Sequence, residues 1–306
     1  MAVVELSDMK HIEAGTFSMG SAEFYADEMP VHDRRVDAFE LDVRPVTNRD
    51  FAAFVADTGY VTVAERELDP ADFPGADPAD LVPGALVFRP TAGPVNLADW
   101  RAWWDWVPGA HWRRPFGPGS SVDDRLDHPV VSVSFDDACA FAEWAGKRLP
   151  TEAEWERAAR GHQSGARYAW GDDLRPGDRI MANTWQGRFP YANSGAQGWV
   201  GTSPVGSFPA NDFGLVDMIG NVWEWTTTRY TFGHVVPEIE QKRVLRGARA
   251  DLLGPEEPTG DERRALKGGS HLCAPEYCLR YRPAARSPQS DDSATTHIGF
   301  RCARSI

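Results

Sequence analysis

The chain has 306 residues, 42% of them hydrophobic, enough to bury a large core, and nothing in its composition indicates disorder. Its formal net charge is −13, from 32 basic and 45 acidic residues without a long basic run, which excludes a nucleic-acid backbone or an anionic membrane surface as partner and favours a cationic peptide. The opening segment MAVVELSDMKHIEAG lacks a charged n-region followed by an apolar h-region, and no stretch approaches ~18 apolar residues, so neither a signal peptide nor a membrane span is expected and the expected location is the cytoplasm.

Three segments carry helix start and stop signals. In VTNRDFAAFVADTG, Thr47 or Asn48 caps, Phe51, Phe54 and Val55 form an apolar stripe, and Gly59 stops the helix. In SFDDACAFAEWAG, Ser134 and Asp137 make an S-x-x-D start, Phe141, Trp144 and Ala145 follow, and Gly146 ends it. TEAEWERAARG runs from Thr151, with Glu154 at the capping-box position, to Gly161. Strands are expected at 128–135 (HPVVSVSF), 242–247 (KRVLRG) and 298–304 (IGFRCAR). With 28 Gly, 23 Pro and 12 Trp, much of the remainder reads as ordered loop. Residues 67–97 and 229–266 read as surface insertions. No β-α-β alternation appears, which argues against a doubly wound nucleotide fold, and residues 1–306 read as one domain.

Four segments carry chemistry. Trp100, Trp103, Trp104, Trp106 and Trp112 form either packing or the aromatic wall of a peptide groove. Residues 181–199 offer the amide oxygens of Asn183, Asn193 and Gln197, which turn chemistry explains equally well. In FGLVDMIGNVWEWTTT, Asp217, Asn221 and Glu224 supply hard oxygens near a Gly-containing bend, a set that suits calcium without being an EF-hand. In KGGSHLCAPEYCLRYRPAARS, Cys273 and Cys278 stand roughly 140° apart on a helix and on opposite faces of a strand, so their sulfurs meet only if the backbone turns, as Pro275 favours. A disulfide, a structural zinc ligand pair and a two-coordinate Cu(I) site all remain open. Arg280, Arg282 and Arg286 either favour thiolate there or merely pair with carboxylates. There is no G-x-S-x-G, HExxH or Walker loop, and the eight His are scattered.

The runs HPVVSVSFDDACAFAEWAGKRLPTEAEWERAARG, NTWQGRFP, GLVDMIGNVWEWT and KGGSHLCAPEYCLRYRPAARS…HIGFRC closely resemble the formylglycine-generating enzymes, or sulfatase-modifying factors, and the likeness extends from Gly15 to Cys302. RLPTEAEWE and GNVWEW are shared by a broad superfamily with non-catalytic members; the dithiol segment marks the formylglycine-generating branch. The resemblance implies a single α+β, C-type-lectin-like fold with little regular secondary structure. It also implies oxygen-dependent conversion of the cysteine in a C-x-P-x-R segment of an unfolded sulfatase to Cα-formylglycine, by a protein expected to be a monomer. Cys273 and Cys278 then fall on the cysteines that bind Cu(I) and leave room for the substrate sulfur, and Ser270, Tyr277 and Trp223 on positions lining the oxygen and thiol pocket. One calcium site corresponds to Asp217, Gly220, Val222 and Glu224, a second to Asn183, Thr184, Gln197 and Trp199. Asp217 replaces an expected Asn and Gln197 an expected Asp. Pro283 replaces a cysteine of some relatives, and Cys139 sits about one turn from the family position that pairs with the counterpart of Cys302, so a Cys139–Cys302 disulfide stays open but is not inherited. The rival expectation is a lectin-like binding module of the same fold with a structural Cys273–Cys278 disulfide.

Overall fold

A computed structural model of the chain describes residues 6–72, 74–75, 77–163, 165–235 and 263–306. The amino-terminal part forms β1 (Met9–Ile12), β2 (Gly15–Met19), β3 (His32–Val36), β4 (Phe39–Asp42) and helix α1 (Asn48–Thr58). A hairpin of β5 (Gly84–Phe88) and β6 (Trp104–Pro108) precedes helices α2 (Phe135–Trp144) and α3 (Glu152–Arg160). The short pair β7 (Gly187–Arg188) and β8 (Ala192–Asn193) follows, then β9 (Trp223–Arg229), β10 (Arg263–Lys267), β11 (Arg286–Ser290), β12 (Ile298–Gly299) and β13 (Ala303–Ser305).

All three helices start on reciprocal caps. The Thr47 hydroxyl accepts from Asp50 N, and the Asp50 carboxylate accepts from Thr47 N at 2.9 Å; Ser134 with Asp137 and Thr151 with Glu154 repeat the exchange. Each box satisfies amide donors that a helix start otherwise leaves unpaired. Phe51, Phe54 and Phe141 lie where the periodicity places them and pack together with Phe300 and Trp112 in the main core.

Two sheets carry the functional region. The central one has the order β11-β10-β9-β12, antiparallel except for the parallel β12–β9 pair, with Leu266 opposite Trp225 and Lys267 opposite Glu224. The other, β1-β4-β13, joins the two ends of the chain through Leu41 opposite Ala303. Helix α3 packs over β9 and β10, so Ala265, Leu266 and Lys267 are buried without alternation.

Several expectations need correction. Residues 128–135 form no strand: Pro129 makes one bridge to Thr47, Ser132 adopts φ 56°, and Phe135 already begins α2. Their apolar residues are buried because this coil crosses the interior. Residues 298–304 divide between two sheets, with Arg301 turned into the core between them. The expected strand 242–247 lies outside the described residues. Within 67–97, β5 is no surface insertion, since Ala85 and Val87 are fully buried. Within 229–266, Arg229 and residues 263–266 likewise belong to the central sheet.

Candidate active site

The segment after β10 leaves the sheet through Gly268 and Gly269, at φ 93° and 73°. A Cβ on Gly268 would lie 2.8 Å from the Met218 carbonyl oxygen, and one on Gly269 would lie 2.9 Å from that of Arg280, so both the backbone angle and the space demand glycine. Two turns follow: Cys273 N donates to Ser270 O at 2.9 Å, and Cys278 N donates to Ala274 O at 2.7 Å. Pro275, lacking an N–H, sits inside the second turn. Trp185 N donates to Cys273 O at 3.1 Å, tying the turn to the 181–199 loop.

The turns bring the sulfurs of Cys273 and Cys278 to 3.0 Å, well beyond the ~2.05 Å of a disulfide, and both are free thiols. The environment divides them. The Cys273 thiol, donating its hydrogen bond, holds Cys278 below the ordinary cysteine value, and Arg280 adds to the effect. Burial pushes Cys273 well above that value, although Ser270 N donates to its sulfur at 3.4 Å. The pair therefore holds its first negative charge on Cys278.

Both cysteines line a cavity of about 300 Å³, together with the expected Ser270, Tyr277 and Trp223. Tyr277 stacks on Phe189 with ring centroids 4.6 Å apart and meets Trp103 edge-on at 5.2 Å; burial raises its hydroxyl to about 12, keeping it protonated. Trp103 and Trp104 stand on the cavity wall, Trp103 also packing in a small buried cluster with Phe189 and Leu272, whereas Trp112 belongs to the main core and Trp100 and Trp106 are exposed away from this cavity.

Residue-type reasoning overlooked Tyr25, Phe189, Leu272 and His297 on the same walls. Tyr25 comes from the distant β2–β3 connection, and its hydroxyl accepts from Leu279 N at 3.0 Å. His297 rests 4.8 Å from the Trp104 ring, and its Nδ1 lies 2.7 Å from the Thr295 hydroxyl. Burial, reinforced by His271, lowers its pKa to about 3, so it is neutral. The parallel β12–β9 pairing that delivers His297 beside Trp223 leaves no local sequence signal.

The arginines mostly pair with carboxylates. Arg282 holds Glu28, with one contact of 2.8 Å, and Arg286 grips Glu152 through two contacts of 2.9 Å. Arg280 does both jobs: it reaches Asp27 at 2.8 Å, covers the Tyr25 ring at 4.1 Å and lines the cavity. Beneath them Lys267, fully buried, lies 2.9 Å from Glu156 and 3.5 Å from Glu152.

The oxygen-rich segments sit elsewhere. Asp217 is buried at φ 53°; one carboxylate oxygen accepts from Gly206 N, the other has no partner, and burial raises its pKa to about 6. Gly220 presses against the Asn183 main chain, Val222 is buried, and Glu224 accepts three hydrogen bonds, two from Arg301 and one from Trp155. The Asn183 amide donates to Gly201 O, Gln197 donates weakly to Ile180 O at 3.3 Å, the Thr184 and Trp199 carbonyls already accept, and Asn193 serves as a turn acceptor. Among the described residues no group of three or more His, Cys, Asp or Glu is gathered to hold a metal. Cys139 and Cys302 are free thiols.

Known proteins resemble this chain over nearly its whole length. The chain is 62% identical over 297 residues, 97% of both chains, to a protein of Mycobacterium tuberculosis named formylglycine-generating enzyme. It is 36% identical over 307 residues, 97% of this chain and 85% of the other, to a Mus musculus protein named inactive C-alpha-formylglycine-generating enzyme 2. The solved structure of PvdO from Pseudomonas aeruginosa shares the fold at TM-score 0.61 and 23% identity, over 98% of this chain and 95% of that one. The model of the sulfatase-modifying factor enzyme 1-like domain matches residues 2–306, and the chain belongs to that family.

Proposed function

We propose that this chain is a formylglycine-generating oxidase that converts the cysteine of a C-x-P-x-R segment in an unfolded sulfatase to Cα-formylglycine, with dioxygen as electron acceptor. The observation that carries the reading is the unbridged Cys273–Cys278 pair on the wall of an aromatic cavity. In the net conversion the substrate cysteine loses two electrons with its S–H and Cβ–H hydrogens, and water then replaces sulfur to leave the aldehyde and hydrogen sulfide. The free thiols also oppose the binding-module alternative, which needs them joined.

The donor set fits Cu(I). Two adjacent sulfurs, one favoured as thiolate, make a soft site of low coordination, with cavity space for a third sulfur from the substrate. Copper held there would supply the activation of dioxygen. The protein's own groups position and shield: Ser270 N orients the Cys273 sulfur, while Trp223, Phe189 and Trp103 exclude water. A dithiol that works reduced suits a reducing compartment such as the cytoplasm, and a monomer supplies every group named.

Calcium is proposed at Asp217, whose unpartnered buried oxygen is an open place for a hard cation, with the Gly220 and Val222 carbonyls. Glu224 retains about one of its four acceptor positions. The neutral set of Asn183, Thr184, Gln197 and Trp199 would bind more weakly. Chelation is expected to lower the thermal midpoint, and re-addition of calcium to restore it; an unchanged midpoint counts against both sites.

The function is tested by incubating the protein with a C-x-P-x-R peptide, Cu(I) and oxygen and following the aldehyde by mass spectrometry. Formation of aldehyde is expected. Unmodified peptide after reconstitution that leaves both thiols metal-bound would overturn the reading.

A further inference from the structure

A second cavity, of about 510 Å³, lies beside the cysteine pocket and shares Leu272 with it. The β5–β6 hairpin runs along both: Phe88 lines the second cavity, and its cross-strand partner Trp104, 5.9 Å away between ring centroids, lines the first. Phe116 and Val200 stand at the second cavity with 40% and 57% of their surface exposed, an apolar rim left uncovered among the described residues. Asn48, 3% exposed, is in its wall; Nδ2 donates to Arg125 O at 2.8 Å, but Oδ1 has no partner. A buried acceptor left in this way calls for an N–H from a ligand.

Resting on the function proposed above, we infer that this cavity binds the substrate polypeptide on the amino-terminal side of the target cysteine, taking an apolar side chain while Asn48 Oδ1 accepts a main-chain N–H. Charge sets the direction. Arg89 and Arg125 line the cavity, each with only a loose acidic neighbour among the described residues, Asp105 at 3.9 Å and Asp124 at 3.7 Å. The arginine of C-x-P-x-R lies on the carboxyl side of the cysteine, and these two cations disfavour it here. The opposite flank is the one the cavity accepts. An extended chain with its cysteine in the first cavity places the preceding residues ~3.3 Å apart along its path, within reach of a cavity that shares a wall with the first.

The test compares acetyl-LLCAPAR, acetyl-KKCAPAR and acetyl-CAPAR as substrates and, by calorimetry, as ligands of the same copper-loaded samples. The leucine peptide is expected to exceed the truncated one by about tenfold in kcat/KM, chiefly through KM, with a matching difference in Kd, and the lysine peptide to fall below it. Gly201 lines the cavity, and a Cβ there meets nothing within 4 Å, so Gly201→Leu is the variant chosen to occupy the space. In that variant the ratio between the leucine and truncated peptides should collapse toward one. Equal binding of those two peptides by the wild type, or an unchanged ratio in a folded Gly201→Leu, overturns the subsite. A retained tenfold binding difference without aldehyde counts against the function and supports the subsite.

Discussion

Replacing Cys273 or Cys278 by serine lowers kcat/KM for a C-x-P-x-R peptide by ~10⁴-fold and leaves the fold in place, and the double variant is scarcely worse than either single one. Serine keeps the size and polarity of the site but exchanges a soft sulfur for a hard oxygen, so the ligand chemistry is lost while packing is nearly conserved. Groups that act as one unit show this lack of additivity. The stability cost should stay under about 2 kcal/mol, because the neighbouring hydrogen bonds run mainly through the backbone of residues 270–278. The assay is aldehyde formation beside a thermal melt of each variant. Turnover within tenfold of wild type from either single variant would remove the dithiol from the chemistry.

Lys267→Met is expected to destabilise the protein by about 3–5 kcal/mol in urea unfolding at pH 7. The ammonium is fully buried, and among the described residues its removal leaves Glu156 with Arg160 and the Gly20 amide, and Glu152 with Arg286. The pH dependence supplies a second readout. Burial by itself would raise Glu156, but Lys267 and then Arg160 overcome it and hold the carboxylate at about 2, below its ordinary 4.5. A carboxylate depressed by folding contributes its stabilisation above the unfolded value, and that contribution fades as pH falls from about 4.5 toward 2. The gap between wild type and Lys267→Met should therefore narrow over that interval. A gap of the same size at pH 7 and pH 3 would show that the loss is one of packing rather than charge.

The helices were legible because their information is local: a cap, an apolar stripe and a stop all fall within about a dozen residues, as at Thr47–Gly59. The segment 128–135 misled because β-branched alternation also suits a buried coil, and nothing nearby reveals that Ser132 takes a positive φ. Cys273 and Cys278 were legible as a pair, since only a turn brings them together, yet spacing alone did not separate thiol, disulfide and metal ligand. Their surroundings come from afar: Tyr25 arrives from more than two hundred residues away and His297 through a parallel strand pairing. Among the arginines, Arg280 and Arg282 differ by two positions, but one faces the cavity while the other is spent on Glu28. The family likeness identified Ser270, Tyr277 and Trp223 as companions of the thiols, and the cavity contains all three; it offered no guidance to the apolar space beyond Leu272.

The pairing of β4 with β13 and of β9 with β12 has a consequence for synthesis. A ribosome makes residues 39–42 long before residues 303–305, so β4 keeps one open edge, and Trp223 lacks its neighbour His297, until residues 297–305 have emerged. The two thiols leave the ribosome earlier than the strand that delivers one side of their pocket. Until that strand pairs, the fold leaves one side of the thiols' pocket unclosed, and how long they stay uncovered is set by the speed of this last closure.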